Sequence, residues 1–283
     1  MEPLLRVTHV NKHYEGTRAL HDVSISVYPG EVHALMGENG AGKSTLGKII
    51  AGAVLPDSAD IYWEGRQVQI TSPLVAQQLG IGIVFQELDL FPSLSIAENI
   101  VIRNLDLERS PFVNWRQLIA CCTPFLEQVG LTINPRTKVG HLRMGEMQLV
   151  SIARALSFKA RLLVFDEPTS SLPDDAADRL FSLIHKLKAT GVAIVYVSHK
   201  MREILQISDR VTVLRDGENA GTRDTQNTTI DEIISMMVGR ELGTRSARVT
   251  TTPGPVLLTV EHLNTTKISD VSFELHKGEV LGI

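Results

Sequence analysis

The chain has 283 residues, 43% of them hydrophobic, enough for one large domain or two small ones with buried cores. Its 28 Lys+Arg against 32 Asp+Glu leave a net charge of -4, without the basic excess of a nucleic-acid-binding surface, so no nucleic-acid partner is expected. The apolar runs are short, Val192–Val197 among them, against the roughly 20 residues of a membrane-spanning helix, and Met1-Glu2-Pro3-Leu4-Leu5-Arg6 lacks the pattern of an export signal.

Apolar runs alternating with helical patterns predict an α/β fold. Strands are expected at Leu4–Val10, Val23–Val27, Val32–Met36, Ile61–Trp63, Gly82–Phe85, Arg161–Phe165, Val192–Val197 and Arg210–Leu214. Between Leu88 and Lys159 the pattern is mostly helical. Trp115–Val129 places apolar residues at helical spacing, which predicts an inserted helical subdomain. Arg240–Pro255 turns to Gly, Thr, Arg and Pro without periodicity and reads as a linker. Adjacent Cys121 and Cys122 are poorly placed for a disulfide and favour a reducing compartment. His9 and His13 fall on a strand and loop, where no metal site is expected.

A long-period repeat follows. Asp22–Val32 returns as Asp270–Val280 with six of eleven residues identical, and Leu4–Asn11 resembles Leu257–Asn264, a period near 250 residues. The chain thus reads as one module followed by the start of a second. With Leu35 aligned on Ile283, it stops two residues before a second glycine-rich loop would begin.

The first such loop, Gly37-Glu38-Asn39-Gly40-Ala41-Gly42-Lys43-Ser44-Thr45, fits G-x-x-x-x-G-K-[ST] between the strand Val32–Met36 and a helix-compatible run. Glycines let backbone N–H groups wrap phosphates, and the helix N-terminus favours the anion. Lys43 is expected to reach the β and γ phosphates of ATP, and Ser44 to offer its hydroxyl to Mg²⁺. The acidic partner is the strand Leu162–Phe165 ending in Asp166-Glu167. Asp166 is expected to hold Mg²⁺ through water, and Glu167 to take a proton from the attacking water.

The order of these motifs resembles the nucleotide-binding subunits of ABC transporters, over roughly Leu4–Leu242, with 243–255 as linker and 256–283 as the beginning of a second module. The resemblance implies a P-loop NTPase core of mixed sheet with flanking helices, an antiparallel β subdomain and an inserted helical subdomain. Phe85-Gln86-Glu87 resembles the Q-loop, which implies that Gln86 senses metal and water. Val197-Ser198-His199 resembles the switch-histidine strand end, with His199 near the γ-phosphate. Tyr14 stands where the family stacks an aromatic ring on adenine, and Ser170–Asp174 resembles the D-loop of the dimer interface. Ser208–Gly217 followed by Met236–Leu242 is similar to the end of the first module in tandem sugar importers of the ribose and galactose type.

One motif departs from the family. Its signature, Leu-Ser-x-Gly-x-x-Gln, reads Leu142-Arg143-Met144-Gly145-Glu146-Met147-Gln148, with Arg143 in place of the serine that meets the opposite module's γ-phosphate. Arg143, Gly145 and Gln148 are still expected at nucleotide through the helix N-terminus and the guanidinium. In a head-to-tail pair Arg143 belongs to the second site, so a tandem protein is expected to keep one hydrolytic site. A many-fold gain in turnover on restoring serine would refute that.

The resemblance implies an ATP-hydrolysing subunit that energises monosaccharide import. Its implied partners are membrane-spanning permease subunits, a second ABC module and, indirectly, a periplasmic or extracellular sugar-binding protein; its implied place is the cytoplasmic face of the cell membrane. Two alternatives stand beside it. One is a soluble ABC ATPase of translation or DNA repair, whose usual charged linkers, coiled coils or zinc motifs are missing between Phe85 and Leu142 and in Arg240–Pro255. The other is a chain that binds ATP without productive turnover.

Overall fold

The computed structural model describes residues 2–101, 114–239, 254–266 and 268–282, which divide into one unit through residue 240 and another from residue 241. The first unit opens with strands β1 (Leu5–Tyr14), β2 (Thr17–Val27) and β3 (Val32–Met36), then helix α1 (Lys43–Ile50). Strands β4 (Ser58–Trp63) and β5 (Arg66–Val68), helix α2 (Pro73–Leu79), strand β6 (Ile81–Val84) and helices α3 (Ile96–Val101), α4 (Trp115–Val129) and α5 (Met144–Ser157) follow. The unit closes with β7 (Leu162–Asp166), α6 (Asp174–Ala189), β8 (Ala193–Val197), α7 (Met201–Ile207), β9 (Arg210–Arg215), β10 (Glu218–Asp224) and α8 (Ile230–Val238).

A six-stranded sheet of order β10-β9-β3-β8-β7-β6 forms the centre, parallel except for β10. Its central strands β3, β7 and β8 are buried at every position, and mostly apolar, because both faces are covered. Val32, Ala34 and Met36 of β3 join Phe165 and Tyr196 in a core with α3 to α8, while Leu35, Val164 and Val195 face a second core. That second core packs α1 under an antiparallel sheet of order β2-β1-β4-β5.

Helices α3, α4 and α5 make up the inserted helical region. In α4, Leu118, Cys122, Leu126 and Val129 form one buried stripe, and the Asn114 side chain accepts from Arg116 N at 3.1 Å to cap its start. The helix matches the bounds expected from periodicity. All eight expected strands are present, with ends shifted by a few residues. The larger extensions are in β1 and β2, whose hairpin ladder continues over polar residues to a turn pairing Tyr14 with Thr17.

Two edge strands, β5 and β10, were not expected, since neither carries an apolar alternation. Their signal lies in the turns: Glu64-Gly65 and Asp216-Gly217 have positive φ at both residues (49° and 74°, 52° and 78°), the backbone of a two-residue hairpin.

In the second unit β11 (Val256–Leu263) and β12 (Val271–His276) pair antiparallel. The expected linker lies almost wholly outside the described residues. The hairpin reproduces the bonding of β1 and β2. His9 Nδ1 lies 2.6 Å from Asp22 Oδ1 and His262 Nδ1 2.5 Å from Asp270 Oδ1; the N–H of His9 and of His262 donates to the hydroxyls of Ser24 and Ser272 at 3.3 and 2.9 Å. Asn11 and Asn264 each donate to the carbonyl of that histidine, at 3.0 and 2.8 Å.

Candidate functional site

The loop 37–45 joins the end of β3 to the start of α1, as its pattern predicts. Two of its glycines are required by space as well as conformation. A Cβ on Gly37 (φ 153°) would sit 2.3 Å from Leu214 O, and one on Gly42 (φ 95°) 2.5 Å from Ala19 O. The loop closes around its own lysine: Lys43 Nζ donates to Gly37 O and Glu38 O, both at 2.9 Å. Burial holds the Lys43 ammonium below the ordinary lysine pKa, against the opposing pull of the Glu167 and Asp166 carboxylates.

Parallel pairing of β7 with β8, and of β8 with β3, brings the other motifs to the same end of the sheet. Ser44 Oγ donates to Asp166 Oδ1 at 2.7 Å, tying helix α1 to the end of β7. Glu167 follows with φ 47°, a left-handed backbone that strains a side-chain-bearing residue. Its N–H donates to Val197 O at 3.0 Å, and its Oε1 lies 3.2 Å from His199 Nδ1.

An open cleft of about 380 Å³ is lined by Asn39, Gly40, Gly42, Lys43, Ser44, Thr45, Gln86 and Glu167, together with Ala19 from β2; His199 is outside this lining and meets it through Glu167. Ala19 was missed in the sequence, where nothing in a lone alanine distinguishes it. Asp166 is buried beneath the cleft, while Gln86 is exposed at its edge. The facing hydroxyl, carboxylate and amide are all hard oxygen donors of the kind Mg²⁺ takes, so this set fits that ion. The cleft can accept a phosphate chain on backbone N–H groups and an ammonium, with a carboxylate placed to receive a proton.

Other expected residues lie apart. Tyr14, at the end of β1, is exposed and outside the lining of the cleft, with Lys12 Nζ 5.5 Å from its ring centroid. Arg143, Gly145 and Gln148 line a separate cleft of about 380 Å³ at the start of α5, with Ser171, Leu172 and Pro173 on the opposite wall. Arg143 N donates to Glu146 Oε2 at 2.8 Å, but a guanidinium has no lone pair to cap the helix in return. Gln148 Nε2 is buried without a hydrogen-bond partner among the described residues.

His9 and His13 do not converge on one site: the first bonds Asp22, and the second lies 3.0 Å from Asp57 Oδ2. Among the described residues no helix is long and apolar enough to cross a membrane.

The family model described as ABC transporter matches residues 20–170, more than half of the chain. The chain belongs to the ABC transporter family. A curated relative named "Putative ribose/galactose/methyl galactoside import ATP-binding protein", from Pseudomonas savastanoi pv. phaseolicola (strain 1448A / Race 6), is 45% identical over 281 residues, 99% of this chain and 54% of the relative. This ABC transporter chain therefore spans about half the length of the curated relatives it matches. Among solved structures, the ADP conformation of MJ1267, an ATP-binding cassette of an ABC transporter, matches with TM-score 0.74 and 25% identity over 85% of this chain and 100% of that one. The dimeric structure of MJ0796, a bacterial ABC transporter cassette, matches with TM-score 0.68 and 25% identity, covering 79% of this chain and all of that one. The P-loop NTPase fold expected from the sequence is the fold observed, and ATP-binding follows from the family.

Proposed function

We propose that this chain binds Mg²⁺-ATP in the cleft over 37–45 and is the ATP-hydrolysing subunit that energises a membrane monosaccharide importer. The observation that carries the site is the meeting of Ser44 with Asp166 beside Lys43 and Glu167, residues brought together from two motifs. The sugar class rests on the names of the relatives and on the module end at Ser208–Leu242.

In this reading Lys43 turns from the carbonyls of Gly37 and Glu38 toward the β and γ phosphates. Ser44, Asp166 and Gln86 would hold Mg²⁺, which when bound neutralises phosphate charge. Glu167 accepts the proton of the attacking water, and His199 fixes the Glu167 carboxylate and the γ-phosphate side of the cleft. Tyr14 stacks on adenine, and Arg143, Gly145 and Gln148 face the nucleotide of a second module across a head-to-tail dimer. Closure of that pair moves permease subunits on the cytoplasmic face of the membrane, with a sugar-binding protein on the other side.

Equilibrium binding of a fluorescent ATP analogue to wild type and Lys43→Ala tests the site. Loss of binding in the variant supports it, and equal binding refutes it. Stimulation of ATPase by permease-containing membranes tests the transport role.

A second reading is ATP binding without turnover by this chain on its own. Arg143 favours it, because two copies would each present a guanidinium where the family offers a hydroxyl. ATPase assays of the chain alone and mixed with a full-length tandem relative separate the two.

A further inference from the structure

Glu203 of α7 lies outside the lining of the nucleotide cleft and belongs to none of the motifs, yet its carboxylate is buried among hydroxyls. Thr169 Oγ1 lies 2.7 and 2.8 Å from its two oxygens and shares one proton between them. Tyr196 OH donates to it at 2.9 Å and Ser198 Oγ at 3.3 Å. Lys200 Nζ approaches at 3.2 Å and also donates to Thr169 O at 3.1 Å. Glu203, Thr169, Tyr196 and Ser198 are all under 9% exposed, so the carboxylate is satisfied by groups of the protein.

The donors come from two segments. Thr169 is two residues beyond Glu167 on the loop leaving β7; Ser198 immediately precedes His199 on the loop leaving β8. One carboxylate therefore grips both loops from behind while Glu167 and His199 meet in front at 3.2 Å. A carboxylate that only accepts lets every surrounding group donate without conflict. Burial and Glu203 push the Tyr196 phenol far above its ordinary range, keeping it a donor.

We propose that Glu203 is a positioning residue that sets the spacing of Glu167 and His199 for water activation. The rate consequence rests on the ATPase reading above; the geometric consequence does not.

The test compares wild type, Glu203→Gln and Glu203→Ala as full chains, with Thr169→Val as a second variant that removes a donor and keeps the charge. Glu203→Ala is expected to lower kcat about tenfold or more with KM for ATP changed less than about twofold, while Glu203→Gln, whose neighbouring hydroxyls can reverse, stays within about threefold of wild type. Thr169→Val should lower kcat in the direction of Glu203→Ala. Independently of turnover, the ring ¹⁵N resonances of His199, assigned with His199→Gln, should report a hydrogen-bonded Nδ1 in wild type and Glu203→Gln, and its loss in Glu203→Ala. A kcat in Glu203→Ala and Thr169→Val within twofold of wild type, or unchanged His199 resonances in Glu203→Ala, overturns the proposal. Absence of turnover in wild type refutes the ATPase reading alone, and the resonances then decide the role of Glu203.

Discussion

His199 Nδ1 lies 3.2 Å from Glu167 Oε1, across the ends of two adjacent parallel strands. The carboxylate is thereby aimed over the cleft with a fixed partner on one side, the arrangement a general base needs. Glu167→Gln keeps shape and removes the proton acceptor. It should bind ATP as wild type does and lower turnover by roughly 10²- to 10⁴-fold, measured by phosphate release beside nucleotide retention on a filter. Wild-type rates in the variant would remove Glu167 from the base role.

The same residue stores backbone strain. With φ at 47°, Glu167 occupies a region that glycine enters freely. Glycine is normally the less stable choice relative to alanine. Here Glu167→Gly should be more stable than Glu167→Ala by about 1 kcal/mol, read from urea melts of both variants. The usual order would mean that the strain is relieved elsewhere.

Lys43 gives the site a pH dependence of definite sign. Burial lowers its folded pKa, so the unfolded chain holds the proton to higher pH, and stability without nucleotide should rise as pH climbs through the lowered value. ATP favours the charged form, so affinity should do the opposite. It should begin to weaken below the ordinary lysine range of about 10.4, approaching tenfold per pH unit. An ATP titration flat up to that range would refute the assignment of Lys43 to the phosphates.

Serine at position 143 would supply the acceptor that the guanidinium lacks. Glu146 already takes the N–H of residue 143, so Arg143→Ser completes the reciprocal pair and should stabilise the chain by about 1 kcal/mol. If copies of this chain pair head to tail, turnover should rise as well. Stability without turnover would place Arg143 away from nucleotide.

The two thiols should differ. Cys121 is exposed, whereas Cys122 is buried on the packed face of α4 with its pKa pushed up to about 11 by desolvation. Alkylation of the folded chain near pH 8 should modify one cysteine, and the second only after denaturation; mass spectrometry of peptides distinguishes them.

Much of this was legible because the central sheet is covered on both faces. Val32–Met36, Leu162–Asp166 and Ala193–Val197 are then mostly apolar runs that lead directly into the loop 37–45, Asp166-Glu167 and Ser198-His199, so strand and motif advertise each other. The edge strands were hidden since one polar face leaves no run to read, and only Glu64-Gly65 and Asp216-Gly217 marked them. Ala19 and Glu203 were hidden for another reason. Each acts through position in space, Ala19 beside Gly42 and Glu203 behind Thr169 and Ser198, and a sequence spacing of 34 residues between Thr169 and Glu203 carries no pattern.

The repeated hairpin bonding has a consequence for how the strands find each other. Leu5 is fully buried while Leu258, on the matching strand, is 48% exposed, yet the histidine, aspartate, serine and asparagine are bonded alike in both. His9 and His262 share a left-handed φ of 55° and 49°, where both ladders slip register. The same register is therefore held in a strand whose apolar face is covered and in one whose apolar face is open. A short-range polar clasp fixes which residues face each other, and the apolar face is delivered already in phase to whatever packs upon it.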